Sequence, residues 1–196
     1  MLGDGSIRLD NKRYNGRLEF TFSSKILYYV NYLKFNKLKS ICTDTLPTPW
    51  PKGNSTQYLF SSKCIPFITN LHYKWYKINP INLNQYIKIL PVNIEELINS
   101  ISLAHWLMND GYYKNIENTI YFCTDNFSKN EVLLLINILS NKFNIKSTIY
   151  NRRYLNINDE LIEHYKIRIS KLDVNKLILL IKPHIIPEMY YKLGIK

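Results

Sequence analysis

Ser102-Leu103-Ala104-His105-Trp106-Leu107-Met108-Asn109-Asp110-Gly111-Tyr112-Tyr113 is the stretch on which the reading of this chain turns. It is an apolar run at helical spacing that ends in a carboxylate and a glycine. Ala104 is the only alanine among 196 residues. Helices approach closely only where small side chains line the seam, so Ala104 and Gly111 mark a face suited to close packing. The opening residues, Met1-Leu2-Gly3-Asp4-Gly5-Ser6-Ile7, carry the same ending: Gly3-Asp4-Gly5 answers Asn109-Asp110-Gly111.

Other landmarks keep nearly the same spacing, about 107 residues. Lys34-Phe35-Asn36-Lys37-Leu38-Lys39-Ser40 returns as Lys142-Phe143-Asn144-Ile145-Lys146-Ser147, Phe22-Ser23-Ser24-Lys25 as Phe127-Ser128-Lys129, and Lys88 as Lys192. Parallels in one order indicate two divergent copies of one unit. The expected copies are 1–91 and 92–196, meeting near Pro91. Residues 17–22 and 119–123 are β-branched and aromatic in the manner of strands. Ser24 and Ser128 are plausible helix N-caps, and Glu131 completes a capping box ahead of Val132-Leu133-Leu134-Leu135-Ile136. Further strands are expected near 41–44, 57–61, 147–150 and 165–169, with helices over about 65–76 and 171–182. The fold class is α+β with antiparallel sheets.

Hydrophobic residues make up 46% of the chain and charged residues 21%, which excludes a disordered or low-complexity chain. No stretch approaches the roughly 18 consecutive apolar residues of a membrane span, and no signal-peptide pattern opens the chain. Twenty-six basic against 15 acidic residues leave a net charge of +11, which calls for a polyanionic partner. Ile, Asn, Lys and Tyr number 27, 23, 20 and 16, a bias toward A/T-rich codons that suggests an organellar gene. Cys42, Cys64 and Cys123 fit neither a zinc site nor a disulfide framework and are expected to be buried thiols in a reducing compartment.

Residues 102–113 resemble the second signature helix of the LAGLIDADG homing endonucleases, and Met1–Ile7 resembles the last part of the first. The similarity continues through 17–39, Lys88-Ile89-Leu90-Pro91, 119–153 and the terminal stretch from Ile181 to Gly194, so it covers essentially the whole chain. It is nearest to the single-chain, two-repeat members encoded in mitochondrial introns. The resemblance implies two αββαββα repeats whose antiparallel sheets form a nucleic-acid-binding saddle. It implies a site-specific double-strand DNA endonuclease that cuts across the minor groove and leaves short 3′ overhangs, acting in the mitochondrion.

Asp4 and Asp110 are the expected metal ligands. Two carboxylates converging at a helix junction repel unless a cation lies between them, and oxygen-ligated Mg²⁺ is the natural occupant. The resemblance adds a basic residue from each repeat beside the cleavage centre, Lys88 and Lys192. Arg8, Lys12, Arg13, Arg17, Lys146, Arg152, Arg153 and Arg168 are the candidate base or phosphate contacts, with Tyr14, Tyr58 and Tyr150 on the same strands. Asn151-Arg152-Arg153-Tyr154 extends a strand hairpin and is the foremost of them.

Only three residues precede Asp4, less than one helical turn, and such a segment cannot nucleate a helix alone. The seam face of the second signature helix, with Leu103, Ala104 and Leu107, is then expected to be exposed and covered by another chain or by RNA. That shortening opens a second function: a non-catalytic RNA-binding protein, an intron maturase or a component of an organellar ribonucleoprotein such as the mitochondrial ribosome. Double-stranded DNA and structured RNA are the two expected partners.

Overall fold

The structure, a computed structural model, describes residues 1–10, 15–155, 157 and 161–195. Lys12, Arg13 and Tyr14 lie outside the described residues. The chain divides into two compact units, Met1 with Gly3–Ile87 and Leu2 with Lys88–Lys196.

In the first unit Leu18, Phe20 and Phe22 recur at every second position, and side chains on a strand alternate between faces. The elements are β1 (Ser6–Leu9), β2 (Gly16–Ser23), α1 (Leu27–Tyr32), β3 (Thr48–Trp50), β4 (Gln57–Ser61), α2 (Pro66–Trp75), β5 (Tyr76–Ile78) and β6 (Tyr86–Lys88). The first four strands form an antiparallel sheet in the order β1-β2-β4-β3. Ile7, Phe22 and Phe60 point to one face and are buried, as are Tyr29 and Val30 of α1 and Ile68 of α2. Gly16 permits the close approach of α2: a Cβ there would stand 2.9 Å from the Thr69 backbone nitrogen. The Gly16 N–H donates to Thr69 Oγ1 at 2.7 Å.

The second unit contains α3 (Ile94–Leu97), α4 (Ser100–Asp110), β7 (Gly111–Lys114), β8 (Thr119–Cys123), α5 (Lys129–Phe143), β9 (Ser147–Leu155), β10 (Leu161–Ile169) and α6 (Val174–Ile181). Short 3-10 turns follow at Lys182–His184 and Pro187–Leu193. The sheet order is β7-β8-β10-β9, the same order as in the first unit. Both long helices open on reciprocal capping boxes, Asn99 with Ser102 and Ser128 with Glu131. Glu131 also accepts the Leu90 N–H at 2.8 Å. Ile120, Phe122, Leu135, Leu139 and Ile167 are buried between this sheet and its helices. Among the described residues no helix is long and apolar enough to cross a membrane.

Several expectations need correction. The strand expected at 41–44 is replaced by a single bridge, Cys42 to Ser62, and pairing resumes only at Thr48. Proline lacks a donor and is confined to sheet edges, so Pro47 and Pro49 shift the strand to β3, at the edge of the sheet. The hairpin partners β5 and β6 carry no strong alternation and went unforeseen. Ser23, not Ser24, caps the turn before α1, its hydroxyl accepting the Lys25 N–H at 3.4 Å. Cys64 is exposed, whereas Cys42 and Cys123 are buried. Met1–Gly5 is bent rather than helical. The seam is not open: Leu103, Ala104 and Leu107 each have zero exposure, and α4 packs on β7, β8, α6 and the terminal turns of its own unit. That burial leaves no apolar face there for another chain or RNA to cover.

Candidate functional site

Asp110 is the last residue of α4, and the chain turns directly into β7 at Gly111. The turn is tight because Gly111 has no side chain: a Cβ would meet Leu107 Cδ1 at 2.4 Å and Leu107 Cα at 2.9 Å. Behind the turn the Trp106 ring packs on Phe122 at 4.5 Å and its Nε1–H donates to the Cys123 carbonyl at 3.1 Å. These contacts tie the acid-bearing end of α4 to the end of β8.

Burial pushes the Asp110 carboxyl above its ordinary value. The Cys123 thiol, hydrogen-bonded to it, works the other way, as do Lys192 and Lys166, while Asp125 raises it further. Cys123 itself is pushed up to about 12, first by burial and then by Asp110, and is a thiol rather than a nucleophile. Burial alone would depress Lys166, yet the acidic groups around it, Cys123, Tyr112 and Asp125, hold it above its ordinary value. Lys192 Nζ donates to the carbonyls of Leu107, Met108 and Asn109 at 3.2, 2.6 and 3.4 Å. It therefore closes the orphan carbonyls at the C-terminus of α4 and sets a positive charge beside the carboxylate. Asp4, unlike Asp110, ends no helix: it lies exposed in a bend just before β1. Lys88 ends β6 and is half-buried.

Among the described residues no group of three or more His, Cys, Asp or Glu side chains is placed to hold a metal ion by itself. The donors at hand are oxygens: the Asp110 carboxylate and the Asn109 side-chain oxygen, which is buried with no hydrogen-bond partner. That set fits a hard cation of the Mg²⁺ type, which is commonly held by one or two carboxylates plus substrate phosphates and water.

The register sorts the proposed contacts by face. Lys166 opposes Tyr150 and Cys123, Arg168 opposes Thr148 and Tyr121, His164 opposes Arg152, and Tyr112 opposes Tyr121. All of these point away from the face that holds Phe122 and Ile167. The open face is thus basic and aromatic. Tyr112 stacks on Tyr121 at 5.2 Å, Tyr121 meets Tyr150 edge-on at 5.4 Å, and Tyr154 stacks on His164 at 5.6 Å. Lys166 lies 5.1 Å from the Tyr112 ring and Arg152 5.3 Å from that of Tyr154.

Arg153 falls on the other face, opposite Glu163, and pairs with it at 2.5 Å. Arg168 is engaged by Glu117 at 3.1 Å, and Lys114 and Tyr121 also donate to that carboxylate. Lys114, then Tyr121, hold the Glu117 carboxyl below its ordinary value. Lys146 is exposed in the turn ahead of β9, its backbone N–H held by Asp173 at 2.8 Å. In the first unit Arg8 and Arg17 oppose one another on the open face and share Glu19, at 2.9 and 2.7 Å. Tyr58 opposes Phe22 and points to the inner face.

Of the second unit's three arginines only Arg152 has no carboxylate partner among the described residues. Replacing Arg152 by Ala is expected to lower nucleic-acid affinity and to reduce the slope of log affinity against log salt by about one, while Arg153→Ala leaves that slope unchanged. Equal effects from the two substitutions in a salt titration would contradict this assignment of faces. Lys166, Tyr112, Tyr121, His164 and Glu117 were missed from the sequence; the alternation Lys166-x-Arg168 becomes informative only once the register is known.

The model of the LAGLIDADG DNA endonuclease family matches residues 1–177. The chain is 30% identical to the cytochrome b mRNA maturase bI2 of Saccharomyces cerevisiae over 99% of its own length and 45% of that protein's. It is 40% identical to the intron-encoded endonuclease ai4 of Dictyostelium discoideum, over 53% of this chain and 59% of that one. It spans about half the length of these curated relatives. Among solved structures, the homing endonuclease I-WcaI bound to its DNA recognition sequence matches with a TM-score of 0.77 at 26% identity, covering 98% of this chain and 81% of that one.

Proposed function

This chain belongs to the LAGLIDADG DNA endonuclease family, and from that premise we propose that it is a site-specific double-strand DNA endonuclease hydrolysing phosphodiester bonds with a divalent metal. The observation that carries the reading is the position of Asp110: half-buried, at the end of α4, where the chain enters the sheet with the basic and aromatic open face. The likeness to a structure bound to its DNA recognition sequence supports duplex DNA as partner. The shared strand order supports two copies, 1–91 and 92–196, each contributing one acid, Asp4 and Asp110. The A/T-biased composition and the intron-encoded relatives support a mitochondrial setting.

In this reading Asp4 and Asp110 would be the carboxylates that hold Mg²⁺, and the metal would supply activation of a water and charge stabilisation at the leaving oxygen. The chain's own residues do the rest. Burial disfavours the charged form of Asp110, while the Cys123 hydrogen bond, Lys192 and Lys166 favour it. Lys192 and Lys88 bring positive charge to the scissile phosphate, a stabilisation that grows as the phosphorane-like charge develops. Arg8, Arg17, Lys146, Arg152 and Arg168 fix the duplex, and alternate side chains of the open faces meet base edges in the major groove.

Incubation of the purified chain with a randomised duplex library and Mg²⁺, followed by sequencing of the cut ends, is expected to recover one sequence class with short 3′ overhangs. A chain that binds duplex yet leaves every library member intact with Mg²⁺ or Mn²⁺ would overturn the catalytic part. The second reading, an RNA-binding maturase, is favoured by the Saccharomyces cerevisiae relative's name and by the row of tyrosines, since unstacked RNA bases pack on aromatic rings.

A further inference from the structure

The first unit contains a second feature that neither metal binding nor base reading uses. Between the bridge from Cys42 to Ser62 and the pair Thr48 with Leu59, five residues, 43–47, face two residues of β4. The longer segment bows away from the sheet. The gap is a cleft of about 400 Å³. Lys34 reaches it from the helical side, although the residue is only 2% exposed.

Lys34 is there because α1 ends in a π turn, Leu33–Lys37, closed by the Leu38 N–H on the Leu33 carbonyl at 2.8 Å. An extra residue in one turn rotates the following side chains by about 100°. The parallel stretch in the second unit is regular α-helix to Phe143, and its lysine, Lys142, is exposed and donates to the Glu95 carbonyl at 2.7 Å. One short sequence therefore places a lysine outside in one unit and inside a cleft in the other.

The buried ammonium has no carboxylate within ion-pair distance among the described residues. Its neighbours are the Thr45 hydroxyl at 3.2 Å, itself 2.9 Å from that of Thr43, and the rings of Phe35 and Phe60 at 5.6 and 6.0 Å. A cation removed from water with only a hydroxyl and two rings for company is a cost to folding unless an anion completes its shell. The other polar groups of the lining suit such an anion. Ser61 offers a further hydroxyl, Arg8 a guanidinium, and the one carboxylate, Glu19, is already held by Arg8 and Arg17.

We propose that this cleft is a phosphate-binding site, with Lys34 as its charge and the Thr43 and Thr45 hydroxyls as its orienting donors. Arg8, Glu19 and Ser61 lie on the open face of the sheet by register, so a polynucleotide crossing that face would present a backbone phosphate to the cleft; this source rests on the nucleic-acid reading above. The other source of the same group is inorganic phosphate or a mononucleotide.

The test compares the full chain with Lys34→Met and Thr45→Val. Phosphate should raise the melting temperature of the unmodified protein above that in chloride of equal ionic strength, and the rise should vanish in Lys34→Met and shrink in Thr45→Val. Without phosphate, Lys34→Met should melt no lower than the parent, because an uncompensated charge has gone. On a random-sequence duplex the same variant should lose about tenfold in affinity and about one in salt slope, the size of one charge-assisted contact. Loss of the phosphate response with an unchanged duplex slope would support the site and assign it to free phosphate or a mononucleotide. If the unmodified chain binds no duplex, the nucleic-acid reading fails while the phosphate arm still decides the site. An identical phosphate response in parent and Lys34→Met would overturn the proposal.

Discussion

Asp110→Asn is expected to reduce metal-dependent strand cleavage by about a thousandfold or more while duplex binding persists, since a metal contributes several kcal/mol to the transition state. Asparagine keeps the shape and one oxygen but loses the charge. The same variant should be more stable than its parent at neutral pH. Burial raises the Asp110 pKa in the folded chain, so folded protein binds that proton more tightly than unfolded protein does. That contribution to stability is fully present below the carboxylate's ordinary value and is lost as pH rises through the folded one. At pH 7 the ionised group is a net cost. Cleavage should run the opposite way with pH, appearing as Asp110 ionises. Undiminished cutting by the variant, or a lower melting temperature at pH 7 with the parent's pH profile, would contradict the assignment.

Gly111→Ala is expected to damage both folding and chemistry. Its methyl group would stand 2.4 Å from Leu107 Cδ1 and 2.9 Å from Leu107 Cα, and Leu107 is fully buried. The side chain could swing, but a backbone carbon can yield only if the end of α4 moves. Overpacking of this kind costs roughly 1 to 3 kcal/mol and sometimes more. Asp110 is the adjacent residue, so the displacement falls on the carboxylate itself, and a misplacement of about 1 Å can cost a hundredfold in rate. The measurement is a denaturant melt alongside a cleavage assay. A variant with parental midpoint and rate would show that the turn has slack.

Locally encoded elements were the most legible from sequence. The strand expected at 119–123 is β8, and Ser128 with Glu131 forms the capping box at the start of α5. The helix expected at 65–76 is α2, begun by Pro66 at its first position. The acid and glycine at 110 and 111 likewise announce a turn. What escaped depends on partners distant in the chain. Nothing near Lys192 indicates that its ammonium will sit on the carbonyls of α4, some 80 residues earlier. The edge strand lies at β3, where Pro49, which lacks a donor, is tolerated because the strand has a partner on one side only. The doublet Arg152-Arg153 reads as one basic cluster until pairing with β10 separates its members onto opposite faces. The π turn that redirects Lys34 has no signature in Lys34-Phe35, because the matching Lys142-Phe143 closes a regular α-helix.

Separation of neighbours by strand pleating also bears on how such a protein could change targets. On β9 and β10 the even-numbered side chains Tyr150, Arg152, Tyr154 and Arg168 are out on the open face, while Ile167 and Ile169 anchor the sheet from beneath. Substitutions at the outward codons can drift one at a time without disturbing the inward ones, so new specificities are reachable through a series of folded intermediates. A deletion of a single codon within β9 is a different event. It exchanges the two sets beyond the deletion at once, setting Arg153 and Asn151 on the open face and turning Arg152 to the opposite one, so the contact surface of that strand changes in a single event.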